Sequence, residues 1–203
     1  MPETTPHDTN TPPGAVFLDR DGTVIREVDY LSRFEEIELL PGAAEAILKL
    51  NRRRIPVILA TNQSGVARGK ISEEFVKQSH QLLNRLLALK EAHIDDFFYC
   101  PHHPEVGAAP YRTTCSCRKP APGLLLQAAI EHGFDLEKSF VIGDKLIDVE
   151  MAHKVKAQGI LVKTGYGNRE LKLIERSGIN PDQVCTDISE AVEWILKIRE
   201  DKL

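Results

Sequence analysis

The stretch at residues 16–24, VFLDRDGTV, constrains the fold more than any other part of the chain. Its apolar start predicts a buried parallel strand, because strands covered on both faces form continuous hydrophobic runs. Alternate side chains of an extended chain share one face, so Asp19 and Asp21 can both point beyond the strand's carboxyl end. Ligands bind at that end in open α/β sheets, so the stretch predicts a site as well as a strand.

Two carboxylates in one place suit two kinds of chemistry. They can bind a divalent cation such as Mg²⁺, or one can stay ionised as a nucleophile while the other holds a proton as an acid. Turn formation is the competing interpretation, because Asp and Gly are common where strands end. Asp-x-Asp-Gly alone favours neither interpretation.

Apolar runs and amphipathic stretches alternate along the rest of the chain. This alternation predicts an α/β fold with a central parallel sheet and helices on both faces. We expect strands near residues 15–19, 56–60, 94–99, 139–143, 160–162 and 184–185. We expect helices near residues 42–53, 72–91, 120–134, 168–177 and 191–198, and another that ends near 159. The residues of mixed polarity between 20 and 40 are interpreted as a flap beside the site.

Length and charge narrow the class of protein. The 203 residues suffice for one domain, and the first 13 are rich in Thr and Pro, so we expect a disordered tail over 1–13 and a single domain over 14–203. The formal charge is −4 and the 26 basic residues are scattered, which disfavours nucleic-acid and membrane partners. The sequence shows no membrane span or signal peptide, so we expect a cytoplasmic protein, and we expect a monomer.

Polar groups also follow the second and fourth predicted strands. Thr61 begins the string TNQSG, where a hydroxyl and backbone amides could face an anion, although turn chemistry explains such a string at least as often. Asp144 ends the fourth strand, and Asp148 lies one helical turn later, so both can face the same ion. Helix capping competes for Asp144, and the presence of Asp19 favours metal binding.

Cysteine and histidine residues form a second constellation over residues 100–117. Cys100, His102, Cys115 and Cys117 supply four soft ligands, which is enough to close a tetrahedral Zn²⁺ site, and His103 is the alternative to His102. Free thiols or a disulfide are the competing interpretation, but a reducing cytosol disfavours a disulfide. Four protein ligands leave no open position, so the zinc would be structural and would staple the loop.

A basic pair follows the last of these ligands directly. A pinned loop could present Lys119 to a reacting phosphoryl group and Arg118 to a second anionic part of the substrate. A solvated basic pair ahead of a helix is about equally plausible when the pair is taken alone.

The motifs together resemble the haloacid dehalogenase-like phosphohydrolases. The resemblance lies in DRDGT at 19–23, Thr61, Lys119 ahead of a helix, and GDKLID at 143–148, found in that order. It implies a Rossmann-like fold without a large cap, and a magnesium-dependent phosphatase. The zinc loop narrows the resemblance to heptose bisphosphate phosphatases over about residues 16–148, which implies removal of the 7-phosphate from D-glycero-D-manno-heptose 1,7-bisphosphate in nucleotide-activated heptose biosynthesis.

Residue roles follow from this resemblance. It implies that Asp19 attacks phosphorus to form an aspartyl-phosphate, while Asp21 acts as acid and then as base. It implies that Mg²⁺ binds Asp19, the Asp21 backbone carbonyl and Asp144, with Asp148 behind them. Thr61 and Lys119 would steady the phosphoryl oxygens. The residues implied to contact the phosphorylated sugar are Arg20, Glu27, Val28, Asp29, Tyr30, Asn62, Gln63, Ser64, Arg118 and Lys145.

Two other functions remain open on sequence alone. Histidinol-phosphate phosphatases share the zinc-loop layout, so histidine biosynthesis is the alternative pathway. A zinc-ribbon binding module without catalysis, for instance for nucleic acid, is an alternative from another class, and the acidic net charge disfavours it.

Overall fold

Six strands form one sheet within residues 12–200, the part of the chain that the computed structural model describes. They are β1 Val16–Leu18, β2 Val57–Asn62, β3 Asp96–Cys100, β4 Phe140–Gly143, β5 Gln158–Val162 and β6 Gln183–Cys185. All neighbouring pairs are parallel, in the order β3-β2-β1-β4-β5-β6. The predicted α/β class with a central parallel sheet is confirmed. The tail predicted over 1–13 lies outside the described residues except for Pro12 and Pro13.

The α-helices of the described range are α1 Ala43–Arg52, α2 Glu73–Ala88, α3 Gly123–His132, α4 Leu146–His153, α5 Gly167–Glu170, α6 Ile174–Ser177 and α7 Ile188–Glu200. The prediction of one helix over 168–177 is wrong, because a 3₁₀ turn at Leu171–Leu173 separates α5 from α6. Residues three apart align in such a turn, so Leu171 and Ile174 can pack against the same small apolar cluster. Within the described range no helix has both the length and the apolarity to cross a membrane.

Both faces of the sheet are covered, as the continuous apolar run in β1 requires. Val16 and Leu18 belong to a core layer that includes α1, α2 and α7. Phe17 points to the opposite layer, which includes α3 and α4. All three side chains are fully buried. Successive residues of β1 therefore fill two different cores, which is the reason for its lack of polar alternation.

The position of β1 in the middle of the sheet creates a crevice. After β1 the chain extends the sheet on one side through β2 and β3, and then returns to place β4 on the other side. Where the chain connections of two neighbouring strands go to opposite sides of the sheet, a crevice is left at the carboxyl ends of those strands. Asp19 and Asp144 are the first residues after β1 and β4, so both border the crevice.

Residues 20–40, predicted as a flap, fold back beside these strand ends. Backbone bridges join Asp21 to Ile25 and Ile25 to Leu39. Phe34 stacks on Phe75 of α2 with ring centroids 4.6 Å apart. The segment is a short packed excursion, and no large cap is inserted among residues 12–200, in agreement with the expected fold.

Two adjacent leucines of α3 test the packing of the core layer between the sheet and helices α3 and α4. Leu125 is fully buried whereas Leu126 is 45% exposed. Leu125→Ala should lower the free energy of unfolding by about 2–5 kcal/mol, because it leaves a cavity in the core. Leu126→Ala, the matched control, should change it by only about 0.5 kcal/mol. Urea denaturation measures both, and equal losses would contradict the orientation of α3.

Candidate functional site

A polar cavity of about 280 Å³ opens at the crevice between β1 and β4. Asp19 lines it, and the Asp19 backbone N–H donates to the carbonyl of Ile142 at 2.9 Å. This bond continues the β1–β4 ladder by one residue, so the sheet itself fixes the position of Asp19. The Asp19 side chain is only 8% exposed, and its charge therefore needs a partner inside the protein.

Lys119 provides that partner. Its Nζ donates to Asp19 Oδ1 at 2.8 Å and to Asp148 Oδ1 at 2.6 Å, and its side chain is 2% exposed. Burial would raise the pKa of Asp19, but the charges of Lys119 and Lys145 outweigh it and hold the pKa below its ordinary value. Burial would likewise lower the pKa of Lys119, and Asp148 and Asp19 raise it instead. Asp19 is therefore ionised beside a protonated Lys119.

The backbone of Lys119 is held by the end of β2. The side-chain amide of Asn62 accepts from the Lys119 N–H at 3.1 Å and donates to the Lys119 carbonyl at 3.3 Å. Arg118, the preceding residue, donates to the carbonyl of His102 at 3.1 Å. The loop that carries this basic pair is thus tied both to the sheet and to the cysteine-rich segment.

Asp144 lies in a cradle of backbone. Its Oδ2 accepts from the Tyr166 N–H at 2.8 Å, and a Cβ on Gly22 or Gly165 would approach that oxygen to 2.2 Å. Both glycines have positive φ, +81° and +53°. Burial, together with the charge of Asp19, raises the pKa of Asp144 to about 8.

The carboxylates of Asp19, Asp144 and Asp148 fit a divalent cation. One oxygen from each lies within 4.8 Å of the others. Asp144 Oδ1 is buried without a hydrogen-bond partner, and the Lys145 ammonium lies 3.4 Å from it. An oxygen-rich, anionic group with an unsatisfied buried ligand atom is what Mg²⁺ requires.

Asp21 also lines the cavity but is not part of this trio. Its carboxylate contacts the Arg20 guanidinium at 3.1–3.2 Å and accepts from Gln63 Nε2 at 3.0 Å. Gln63 Nε2 also donates to Thr61 Oγ1 at 3.0 Å. The two predicted carboxylates therefore border the same cavity, but they belong to different networks.

The flap and the loop after β5 also line the cavity. Lys145 Nζ lies 3.4 Å from Glu27 Oε2 and 4.5 Å from the ring centroid of Tyr166. Burial raises the pKa of Glu27 despite the Lys145 charge. Lys70 Nζ covers the ring of Tyr30 at 3.5 Å. This part of the cavity therefore mixes cations, a carboxylate and aromatic rings.

The cysteine-rich segment gathers four ligand atoms. The sulfur atoms of Cys100, Cys115 and Cys117 lie 3.2–3.6 Å from one another, and His102 Nδ1 lies 3.4 and 3.7 Å from two of them. Ligands about 2.3 Å from a tetrahedral ion lie ~3.8 Å apart, so these atoms have nearly the spacing that one ion requires. Contact with Cys100 lowers the pKa of Cys117 to about 5, and no cysteine is in a disulfide.

His103 faces away from this cluster. Its Nδ1 accepts from the backbone N–H groups of Glu105 and Val106 at 3.1 and 3.2 Å, and its Nε2 lies 3.3 Å from Arg68. Of the two histidines left open by the sequence, the structure thus brings His102 to the three sulfur atoms.

The cavity gathers nearly all of the side chains expected to contact substrate. These are Arg20, Glu27, Asp29, Tyr30, Asn62, Gln63, Ser64, Arg118 and Lys145. Val28 is the exception, because its side chain packs against the hydrophobic core and only its carbonyl engages the flap, by accepting from the Tyr30 N–H at 2.7 Å.

Sequence reasoning missed Ser79, Gly165 and Tyr166. Ser79 accepts from Arg20 at 3.2 Å, and the other two hold Asp144. Gly165 and Tyr166 follow β5 at the carboxyl edge of the sheet, which is the signal that could have found them. Ser79 lies inside an amphipathic helix and carries no such signal.

Comparisons with known proteins agree with this geometry. Residues 16–89 match the family described as haloacid dehalogenase-like hydrolase, and residues 116–191 match a HAD-hydrolase-like family. A D-glycero-D-manno-heptose-1,7-bisphosphate 7-phosphatase of Thermosynechococcus vestitus is 42% identical over 188 residues, which cover 91% of this chain and 96% of that protein. A D-glycero-beta-D-manno-heptose-1,7-bisphosphate 7-phosphatase of Escherichia coli is 36% identical, with 92% and 90% covered.

A solved structure is similar over nearly the same range. The D,D-heptose 1,7-bisphosphate phosphatase of B. bronchiseptica, complexed with magnesium and phosphate, aligns with a TM-score of 0.81 at 34% identity. The alignment covers 91% of this chain and 99% of that one.

Two glycines test the close packing around Asp144. Gly22→Ala adds a Cβ that meets Asp144 Oδ2, whereas Gly178→Ala meets nothing at a similar positive φ of +70°. Gly178→Ala should cost only about 1–2 kcal/mol of left-handed strain, and Gly22→Ala should cost clearly more. Thermal and urea unfolding of both variants measure this difference. Similar losses would contradict the cradle.

Proposed function

Because the chain belongs to the heptose bisphosphate phosphatase family of the haloacid dehalogenase-like hydrolases, we propose that it removes the 7-phosphate of D-glycero-D-manno-heptose 1,7-bisphosphate. This step would serve the biosynthesis of nucleotide-activated heptose. The observation that carries the proposal is the ionised Asp19 in the cavity, held by a buried ammonium that can also face a phosphoryl group. Similarity to named phosphatases over most of the chain supports the substrate class.

Asp19 supplies the nucleophile. Lys119 binds its Oδ1 at 2.8 Å, which leaves Oδ2 to attack phosphorus. As the new oxygen–phosphorus bond forms, the bond from phosphorus to the sugar oxygen breaks, and Asp21 gives that oxygen a proton. This first half of the reaction yields the sugar with a free hydroxyl group in place of the phosphate, and an aspartyl-phosphate at position 19.

Hydrolysis of the aspartyl-phosphate restores the protein. Asp21, now a carboxylate, takes a proton from a water molecule as the water oxygen bonds to phosphorus. The bond from phosphorus to Asp19 breaks and inorganic phosphate leaves. Thr61 and Lys119 line the same cavity as Asp19, and we expect Thr61 Oγ1 and Lys119 Nζ to donate to the phosphoryl oxygens in both halves.

Mg²⁺ would be held by Asp19, Asp144 and the backbone carbonyl of Asp21. Asp148, which binds Lys119, would support these ligands without being one of them. Bound there, Mg²⁺ would supply positive charge that offsets the repulsion between the carboxylates and the phosphate. The unpartnered Asp144 Oδ1 and the raised pKa of that residue support this assignment.

A structural Zn²⁺ would be held by Cys100, His102, Cys115 and Cys117. With four protein ligands the ion keeps no position for water, so its effect on the reaction would be indirect. Arg118 follows Cys117 and donates to the carbonyl of His102, so the same ion would fix the approach of the basic pair to the cavity.

Substrate selection would rest on the other side chains that line the cavity. Arg118 offers a guanidinium to the second, unhydrolysed phosphate, and Glu27, Asp29 and Lys145 can bind sugar hydroxyl groups. Ser64 and Tyr30 complete this set.

The cellular setting follows from the same residues. We expect residues 14–203 to work as one domain and as a monomer, because one chain supplies every group named above. Cysteine ligands stay reduced in a reducing compartment, which favours the cytoplasm. A formal charge of −4 suits a small substrate better than nucleic acid or an anionic membrane.

A substrate panel tests the proposal. With Mg²⁺, the protein should release phosphate from heptose 1,7-bisphosphate with a higher kcat/KM than from histidinol phosphate or fructose 1,6-bisphosphate. Asp19→Asn should lower turnover by about 10⁴-fold or more, because it removes the nucleophile while keeping the shape of the side chain. Chelation of Mg²⁺ should abolish phosphate release, and added Mg²⁺ should restore it.

Circular dichroism controls for folding of the Asp19→Asn protein. Substantial activity of that variant would contradict the nucleophile. A preference for histidinol phosphate would move the protein to histidine biosynthesis and leave the chemistry of Asp19 intact.

A second test concerns the Zn²⁺ site. Cys115→Ser should lower the zinc content measured by mass spectrometry well below one ion per chain, and it should speed proteolysis between residues 100 and 117. It should also lower kcat, because Lys119 loses its support. Cys185→Ser, a buried cysteine of β6 outside the cluster, is the matched control and should keep its zinc. Full zinc content in the Cys115→Ser protein would contradict the ligand set.

A further inference from the structure

Arg20 lies between the two proposed catalytic aspartates in sequence and lines the same cavity, yet its side chain is almost completely buried. Its side chain is 2% exposed, whereas that of Asp21 is 17% exposed. A buried guanidinium must be paired, since an isolated charge inside a protein is strongly destabilising. The partner of Arg20 is the carboxylate of Asp21, so the contact joins a hidden cation to the proposed acid.

The contact fixes both oxygens of Asp21. Arg20 Nε lies 3.2 Å from Oδ1 and 3.1 Å from Oδ2, and a terminal nitrogen lies 3.2 Å from Oδ1. Gln63 Nε2 donates to Oδ2 at 3.0 Å. A carboxylate offers about four lone-pair sites, and three N–H donors occupy this side, with Arg20 Nε shared between the two oxygens, so about one site is left to face the cavity. The planar fork of Arg also sets the plane of the carboxylate.

The guanidinium is itself anchored. One terminal nitrogen donates to Ser79 Oγ at 3.2 Å, and that hydroxyl donates to the Val76 carbonyl of α2 at 2.7 Å. The other terminal nitrogen donates to Gln63 Oε1 at 2.8 Å, and Gln63 Nε2 donates to Thr61 Oγ1. The network therefore ties the acid to the hydroxyl that would bind the phosphoryl group.

We propose that Arg20 is a positioning residue, which acts with Gln63 to aim the Asp21 carboxyl group at the leaving oxygen of the substrate. The inference rests on the proposed function and adds a residue that acts through Asp21. Arg20 makes no contact with the reacting atoms. Its loss should therefore impair proton delivery and spare the attack of Asp19.

Leaving-group dependence separates these two effects. The leaving group of an alkyl phosphate is an alkoxide, which needs a proton. The leaving group of 4-nitrophenyl phosphate is a stable phenolate, which does not. The parameter kcat/KM covers only the steps up to departure of the leaving group, so later hydrolysis of the aspartyl-phosphate does not enter. Arg20→Lys keeps the charge but cannot form the bidentate contact.

Arg20→Lys should lower kcat/KM for the heptose bisphosphate by about 10²-fold, within the range of general acid catalysis, and for 4-nitrophenyl phosphate by less than about tenfold. Asp21→Asn gives the benchmark for complete loss of the acid. Arg26→Lys is the matched control, because the exposed guanidinium of Arg26 pairs with Glu38 and does not contact Asp21. The ratio of kcat/KM between the two substrates should stay near the wild-type ratio in this variant.

Equal losses on the two substrates, or no loss on either, would overturn the role of Arg20 while leaving the proposed function standing. If Arg20→Lys does not fold by circular dichroism, Gln63→Met removes one donor to Asp21 at similar size and should show the same selective loss. Equal losses in that variant would overturn the inference too. An inactive wild-type protein would overturn the proposed function together with the inference.

Discussion

The ammonium of Lys119 between Asp19 and Asp148 is the interaction on which the site depends. Three buried carboxylates meet where β1 and β4 end, and burying such charges without partners costs several kcal/mol each. Lys119 neutralises part of this charge and keeps Asp19 ionised. Burial and the charge of Asp19 raise the pKa of Asp144 to about 8, so a divalent cation bound there would favour its ionised form. Nucleophile and metal site thus arise from one electrostatic balance.

Much of the remaining structure serves to deliver that ammonium. Lys119 lies 100 residues from Asp19 in sequence, on a loop without regular structure. Asn62 fixes its backbone from the sheet, and the four-ligand cluster of residues 100–117 holds the segment before it. A loop of this length would otherwise lose conformational entropy on ordering with few apolar contacts in return. The proposed zinc would therefore support catalysis by fixing the loop that carries Lys119, although its ligands lie outside the cavity lining.

Sequence reasoning succeeded where the fold itself brings residues together. Asp19 and Asp144 each follow a parallel strand and Thr61 lies near the end of another, and the carboxyl ends of such strands converge at one edge. It could not predict that Val28 faces the core, that His102 and not His103 joins the cysteines, or that a 3₁₀ turn breaks the helix over 168–177. Those outcomes depend on contacts between segments far apart in sequence. Ser79 was missed for the same reason, whereas the position of Tyr166 after β5 could have indicated it.

Chemical trapping of the aspartyl-phosphate tests the central claim most directly. In Asp21→Asn, 4-nitrophenyl phosphate can still phosphorylate Asp19, but the second half lacks its base, so the covalent species should accumulate. Borohydride reduction converts an aspartyl-phosphate to homoserine, which mass spectrometry can locate in a peptide. The account predicts homoserine at position 19 and none in protein incubated without substrate. Homoserine at another aspartate, or none at position 19 while nitrophenolate is released, would contradict it.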